Sequence, residues 1–238
     1  MQTIEERVVV IDCFPESVES HQEKDAIIAV DVIRATTVIV TAVARGRTCF
    51  PVPTLEDAME LAGKLSNPLL VGELGGNMPF GFHLNNSPAD IEARTDTERP
   101  MILLSTSGSK LVCSGSKSQC MYIACLRNWK ATARRLARRH RAIAVIGAGS
   151  RNEFREEDQL CCAWIAEELV ALGYNPLDTS TTEIIRKWSG ASLDEITRGH
   201  SADYLRRTNQ TRDLDFILTH VNDLDHVYRF EDGMVVED

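Results

Sequence analysis

Four stretches of this sequence set carboxylates, an arginine and hydroxyls at the ends of short apolar runs. The first is Asp31-Val32-Ile33-Arg34-Ala35-Thr36-Thr37, where Asp31 closes the run 26–30 and Arg34 follows one short turn later. A carboxylate there suits ligation of a hard cation or proton transfer, and the guanidinium fork of Arg34 suits a phosphate or carboxylate. Thr36 or Thr37 can cap the helix that follows. The plainer alternative is that Asp31 and Arg34 only pair with each other or hold the turn. The second stretch is Gly72-Glu73, followed by Gly81-Phe82-His83-Leu84-Asn85-Asn86-Ser87-Pro88. Its glycines either let a ligand approach the backbone closely or simply serve turns.

The third stretch, Ser105-Thr106-Ser107-Gly108-Ser109-Lys110, offers hydroxyls and backbone N–H groups at a helix start, a natural cradle for an anion. It lacks the spacing of a Walker A loop, and serine-rich turns are common. The fourth is Gly147-Ala148-Gly149 with Glu156-Glu157-Asp158 at the head of a long helix. A dinucleotide fingerprint would need its third glycine where Asn152 stands. Acidic residues in a first helical turn usually just favour the helix dipole. Yet Glu157 and Asp158, with Asp31 and Glu73, also make the all-oxygen donor set that Mg²⁺ prefers.

Other features carry less. Arg134, Arg135, Arg138, Arg139, His140 and Arg141 read as a solvated helix end with favourable charge. Cys161 and Cys162 read as small buried apolar side chains, a nucleophilic Cys161 being the minority reading. No cysteine has an arginine six positions on, Ile33 rather than aspartate stands two after Asp31, and Arg141 rather than glycine follows Arg139-His140. Three familiar phosphatase signatures are thereby missing, as is the G-x-S-x-G elbow.

These residues need a scaffold, and the hydrophobic pattern supplies one. Strands are expected at 8–11, 26–30, 49–52, 69–71, 101–104 and 142–146, with helices at 36–45, 54–64, 129–139 and 156–172 and one after the serine loop. The tail reads as short helices over 178–212, then late strands at 216–218 and 227–228. This alternation specifies an α/β protein, a three-layer α/β/α arrangement with a largely parallel or mixed sheet. It leaves room for two similar α/β lobes, 1–130 and 131–238, with the junction within 125–140. Ligands of such sheets collect beyond the strands' carboxyl ends, where all four stretches fall.

With 35 acidic and 26 basic side chains in 238 residues, the formal charge is −9. That balance argues against a general nucleic-acid binder and against a polybasic membrane-surface protein. No run approaches the roughly 18 apolar residues of a membrane span, and residues 1–7 carry two glutamates and no signal-peptide core. Seven cysteines without a C-x-x-C pair fit reduced thiols in a cytoplasm, and six scattered histidines make a structural zinc site improbable. A homodimer is the default for a soluble enzyme.

Taken in order, the four stretches resemble the 2-phosphosulfolactate phosphatase family (ComB-like proteins). Asp31-Val32-Ile33-Arg34-Ala35-Thr36 is similar to that family's Asp-Val-Leu-Arg-Ala-Thr signature, and Gly72-Glu73 with Gly81-Phe82 and Asn86-Ser87-Pro88 to its second motif. Ser105, Thr106, Ser107, Gly108 and Ser109 stand where it carries Thr-Thr-Asn-Gly-Thr, and Glu157-Asp158 with Cys161 where it carries Glu-Asp and Cys-Ala-Gly. The resemblance implies an α/β fold and Mg²⁺-dependent hydrolysis of a small anionic phosphate monoester, in the family 2-phospho-3-sulfolactate. On this reading Asp31, Glu73, Glu157 and Asp158 bind metal or orient water, with Asp31, Arg34, Glu73 and Asp158 as the catalytic set. Arg34 holds the phosphoryl group together with Ser105, Thr106, Ser107, Gly108 and Ser109, and Thr36, Asn86 and Ser87 complete the substrate-binding set. Whether water or a side chain attacks phosphorus stays open.

His83 replaces the family's aspartate, Asn85 its glycine and Ser107 its asparagine, while Cys162 and Ala163 replace Ala-Gly. Since His83, Asn85 and Ser107 fall in loops expected to line the pocket, poorer handling of 2-phosphosulfolactate than of another phosphorylated small molecule is expected. Two other readings stand beside the first: a phosphatase recruited to a sugar, nucleotide or phosphonate-type substrate, and a non-catalytic metabolite-binding homologue.

Overall fold

Apolar runs rich in Val, Ile and Leu become strands buried on both faces, which is why they read as continuous rather than alternating. In the computed structural model, which describes residues 6–115, 120–149 and 153–238, they are β1 (Val8–Cys13), β2 (Ala26–Val30), β3 (Cys49–Val52), β4 (Leu69–Gly72) and β5 (Met101–Leu104). β6 (Met121–Ala124), β7 (Ala142–Gly147), β8 (Asn175–Pro176), β9 (Tyr228–Glu231) and β10 (Met234–Glu237) follow. Residues 1–5, which hold most of the N-terminal stretch read above, and Asn152 lie outside the described residues.

The strands form one sheet in the order β4-β5-β3-β10-β9-β6-β2-β7-β1-β8. Two parallel blocks, β4-β5-β3 and β6-β2-β7-β1-β8, are joined through the β9–β10 hairpin, which runs antiparallel to both. The expected α/β architecture with a mixed, mostly parallel sheet is therefore what forms. β1 and β2 both pair with β7, so strands from either side of residue 130 share one block. The hairpin turns on Asp232-Gly233, both at positive φ (50° and 81°), the geometry that favours Asp-Gly in two-residue turns.

Successive strand residues face opposite layers. Val9, Ile11, Ile28, Val30 and Val145 pack in one core with α6 (Glu156–Ala171), and Val10, Ile27, Ala29 and Ile146 in another with α1 (Ala35–Ala44) and α4 (Gly108–Ser114). The remaining helices are α2 (Leu55–Ala62), α3 (Pro88–Glu92), α5 (Trp129–Leu136), α7 (Thr179–Trp188), α8 (His200–Arg207) and α9 (Thr211–Thr219). The late strand expected at 216–218 is instead the end of α9. Its apolar residues follow the helical period, burying Leu214 and Ile217 on one face. Of the expected strand at 227–228 only Tyr228 is paired, as the start of β9. No helix among the described residues is long and apolar enough to cross a membrane.

Candidate active site

The chain leaves β2 at Val30 and enters α1 at Ala35, and the turn between them is built around Asp31. Thr36 Oγ1 accepts from the Asp31 N–H (2.9 Å) and donates to the Asp31 carbonyl (2.8 Å), so Thr36 holds the turn. The Asp31 side chain, on a residue 8% exposed, accepts from the Ala35 N–H through Oδ1 (3.1 Å). Its Oδ2 lies against Gly108, where a Cβ would stand 2.2 Å from that oxygen and 2.5 Å from the Ala35 Cβ. Burial pushes the Asp31 carboxyl up to about 6, with the Glu73 charge adding and the Ala35 N–H and Arg34 opposing.

Glycine at 108 is thus what lets the third stretch close on the first. Gly108→Ala is expected to lower kcat/KM about 10²-fold by displacing the Asp31 carboxylate, while alanine remains compatible with a helix start. Steady-state kinetics beside circular dichroism would check this; unchanged kinetics would show that Asp31 tolerates displacement.

From the head of α6 come the next two carboxylates. Asp158 accepts from the Val32 N–H through Oδ1 (2.8 Å), which ties α6 to the Asp31 turn. Glu157 is 1% exposed, and its carboxylate is faced by the Ser201 hydroxyl and its own backbone N–H. Burial pushes Glu157 up to about 7, with the charges of Glu156 and Asp31 adding. Asp158 is driven well above the carboxylate range, first by burial and then by Asp31 and Glu157. Two acids in a first helical turn would ordinarily face water and favour the dipole; here they are buried against a third. Such burial does not serve the helix dipole and costs stability unless protons or a cation offset the charge.

Glu73 joins the second and third stretches. Its Oε1 accepts from the Thr106 N–H (2.7 Å), and its Oε2 from the Thr106 hydroxyl (2.9 Å) and the Gly76 N–H (2.6 Å). The strand end is tight here, since a Cβ on Gly72 would stand 2.0 Å from the Leu104 carbonyl oxygen. In the serine loop, Ser105 donates to Ser109 Oγ (3.1 Å) and accepts from the Ser109 N–H (2.8 Å), while Ser109 donates to the Leu103 carbonyl (3.1 Å). The Ser105, Thr106 and Ser109 hydroxyls therefore shape the loop. Ser107 makes no capping bond at the start of α4 and is the loop hydroxyl left for a ligand.

Arg34 is 5% exposed and does not pair with Asp31. Its Nη1 donates to Asp213 Oδ2 and to Gln210 Oε1, both at 2.6 Å, leaving Nη2 and Nε without a protein partner among the described residues. Asp213 Oδ1 accepts from the Ser87 hydroxyl (2.6 Å) and the Ala89 N–H (3.2 Å). Ser87 also caps α3, accepting from the Asp90 N–H (3.1 Å), so its hydroxyl is committed to structure. Asn85 Nδ2 donates to Gln210 Oε1 (3.1 Å), and Asn86 is buried with its Oδ1 unpartnered. His83 stands apart: exposed at the β4 edge, it accepts from the Leu70 N–H through Nδ1 (2.9 Å).

Asp213 and Gln210 were not among the sequence-derived candidates. They lie in and just before α9, in a tail with no motif. The available signal was Asp213, one of two aspartates flanking Leu214, set three and four residues before Phe216 and Ile217 on the buried face of that helix, where a buried charge needs a partner.

Asp31, Glu73, Glu157 and Asp158 outnumber Arg34, whose charge Asp213 already matches. Oxygen-only donors, three of them buried carboxylates, suit a hard divalent cation. Among the described residues no group of three or more His, Cys, Asp or Glu side chains is placed to hold a metal ion by itself. Mg²⁺ commonly takes one or two carboxylates and fills its sphere with water and substrate phosphate, and the residues fit that manner of binding. Cys161 and Cys162 are fully buried and their thiols are pushed well up, so neither supplies a thiolate. The arginines of 134–141 lie on the surface as read, with Arg134 on Glu168 and Arg139 on Asp238 (both 2.6 Å), whereas His140 is half-buried with its ring against that of Tyr122. A cavity of about 540 Å³ by Arg45, Glu92 and Arg127 is a separate feature, its charges paired as Arg45–Glu92 (3.2 Å) and Arg127–Asp223 (2.7 Å).

Residues 8–233 match the family model described as 2-phosphosulpholactate phosphatase. A "Probable 2-phosphosulfolactate phosphatase" of Symbiobacterium thermophilum is 31% identical over 79% of this chain and 84% of its own length. Proteins of the same name are 37% identical in Pseudothermotoga lettingae, over 63% of this chain and 65% of the relative, and 25% identical in Clostridium beijerinckii, over 92% and 94%.

Proposed function

The chain belongs to the 2-phosphosulpholactate phosphatase family, and from that premise we propose that it is a Mg²⁺-dependent phosphoric monoester hydrolase acting on a small, strongly anionic ester of the 2-phosphosulfolactate kind. The observation that carries the proposal is the buried group Asp31, Glu157 and Asp158 at the ends of β2 and β7, with Glu73 alongside and the Arg34 guanidinium in the Asp31 turn. Carboxylates in such excess repel a phosphate dianion unless cations or protons offset them. When bound, Mg²⁺ supplies that offset and neutralises charge on the phosphoryl oxygens.

The protein's own groups do the rest. Arg34 presents its free Nη2 and Nε donors to the phosphoryl group, with the Ser107 hydroxyl as a further donor, while Asn86 Oδ1 is left to accept from a donor such as water. Asp31 takes or releases a proton at Oδ2, which its raised affinity for protons near neutrality allows. Thr36, Ser87, Ser105, Thr106 and Ser109 fix the loops that carry these groups. Seven cysteines, free as far as described, suit a cytoplasmic enzyme.

Asn85 and Ser107 favour a second reading, a phosphatase of the same mechanism with a different preferred ester, because both stand at the Arg34 side or in the serine loop. His83 lends it no support from its place at the sheet edge. Steady-state kinetics on 2-phosphosulfolactate, phospholactate, sugar phosphates and nucleoside monophosphates would decide. The first reading expects the highest kcat/KM for 2-phosphosulfolactate; another ester ahead by about tenfold or more would establish the second. Release from none would leave a binding protein.

A further inference from the structure

We propose that Asp213 is a positioning residue for the phosphatase reaction, one that aims the Arg34 guanidinium at the phosphoryl group and locks that aim to the Asn85-Asn86-Ser87 loop. The inference rests on the function proposed above and concerns a residue outside the four stretches.

An arginine side chain has many rotamers, and its donors select a phosphate geometry only when the plane of the fork is fixed. Here the fixing is done at one nitrogen. Nη1 carries both bonds, to Asp213 Oδ2 and Gln210 Oε1 at 2.6 Å each, so the guanidinium is gripped by one edge while Nη2 and Nε remain for a ligand. Asp213 uses its other oxygen differently: Oδ1 accepts from the Ser87 hydroxyl at 2.6 Å and the Ala89 N–H at 3.2 Å. One carboxylate therefore sets the distance between the Asp31–Arg34 turn and the second motif. Gln210 repeats the link at lower charge, accepting from Arg34 and from Asn85 (3.1 Å) at the same oxygen.

The side chains of Arg34 and Asp213 are each 4% exposed, so solvent does not loosen the pair. Because the pair is neutral, Arg34 acts on substrate as a directed donor rather than as surplus positive charge. α9 thereby becomes part of the site, although none of its residues reads as chemical in sequence.

Asp213→Asn tests this closely. The asparagine Oδ1 can still accept from Ser87 and Ala89, whereas its amide N–H would oppose the Arg34 N–H, so the change strikes the Arg34 side alone. On the best ester of the panel, kcat/KM should fall about 10²-fold and the inhibition constant of inorganic phosphate should rise in parallel. In an Arg34→Gln background the same substitution should change kcat/KM by less than about threefold, since its effect runs through Arg34. Equal losses in both backgrounds, or near-normal kcat/KM for Asp213→Asn alone, would overturn the proposal. Should Asp213→Asn not fold, Gln210→Ala at a half-buried position gives the same cycle, with a loss of about three- to tenfold confined to the Arg34 background; an equal loss without Arg34 would again overturn it. If the unaltered protein releases phosphate from no ester, the proposed function fails, and equilibrium binding of inorganic phosphate still reads the inference. Binding should weaken with Asp213→Asn only while Arg34 is present, and weakening that ignores Arg34 would refute it.

Discussion

Replacing Asp31 by asparagine is expected to cut phosphate release by about 10²-fold or more, with the fold retained. Asparagine keeps the volume and the Oδ1 acceptor that receives the Ala35 N–H, so the turn between β2 and α1 survives. What disappears is the ionisable oxygen beside Gly108 and one of the buried carboxylates at the strand ends. Removing that charge also removes repulsion with Asp158 and Glu157, both of which Asp31 pushes upward. The variant should therefore melt no lower than the parent at pH 8. Rate and melting together separate the roles: near-normal turnover would take Asp31 out of the chemistry, and unfolding would make it a structural residue.

Chelation should have an effect as large. Full removal of divalent cations with EDTA is expected to lower phosphate release by about 10²-fold or more, with Mg²⁺ restoring it, as oxygen donors without a His/Cys cluster favour a hard ion. A second signature follows from the carboxyls themselves. Asp31 and Glu157 hold their protons up to about 6 and about 7, chiefly because burial disfavours the charged form. A folded pKa above the unfolded one, near 4 for these groups, gives stability that is full below pH 4 and is lost as pH rises through about 6 to 7. The chelated protein should accordingly melt at a lower temperature at pH 8 than at pH 5, and Mg²⁺ should raise the melting temperature more at pH 8. Full activity after exhaustive chelation, or a Mg²⁺ shift no larger at pH 8 than at pH 5, would refute the metal assignment.

Much of this architecture was legible because the rules that encode it are local. Apolar runs ended by polar residues gave β2, β3, β4, β5 and β7, and Thr54 reads as a cap for α2 and does accept from the Asp57 N–H (3.0 Å). Two of the strand-end carboxylate positions were legible for the same reason: a parallel block gathers its carboxyl ends, and Asp31 and the α6 head follow β2 and β7, whereas Glu73 follows β4 in the block that runs the other way. Which hydroxyls are free was not legible. Ser87, Ser105, Thr106, Ser109 and Thr36 look like ligand donors in sequence, yet each satisfies a turn, because buried polar groups find the nearest partner. Tertiary pairing hid the rest. Asp213 gains meaning only when α9 packs against α3, and the apolar residues 216–218 join a helix because Leu214 and Ile217 need one buried face. The hairpin at Asp232-Gly233 and its second strand are absent from the expected elements, although Asp-Gly between two short segments is a signal for one.

The most direct test of the central claim is release of inorganic phosphate from 2-phosphosulfolactate by the purified protein, followed with Mg²⁺ present and again after chelation. Turnover that requires Mg²⁺ and is lost in Asp31→Asn is the expected result. Absence of phosphate release with Mg²⁺ present, from this ester and from every other ester of the panel, would contradict it and make the carboxylate site a binding site without hydrolysis.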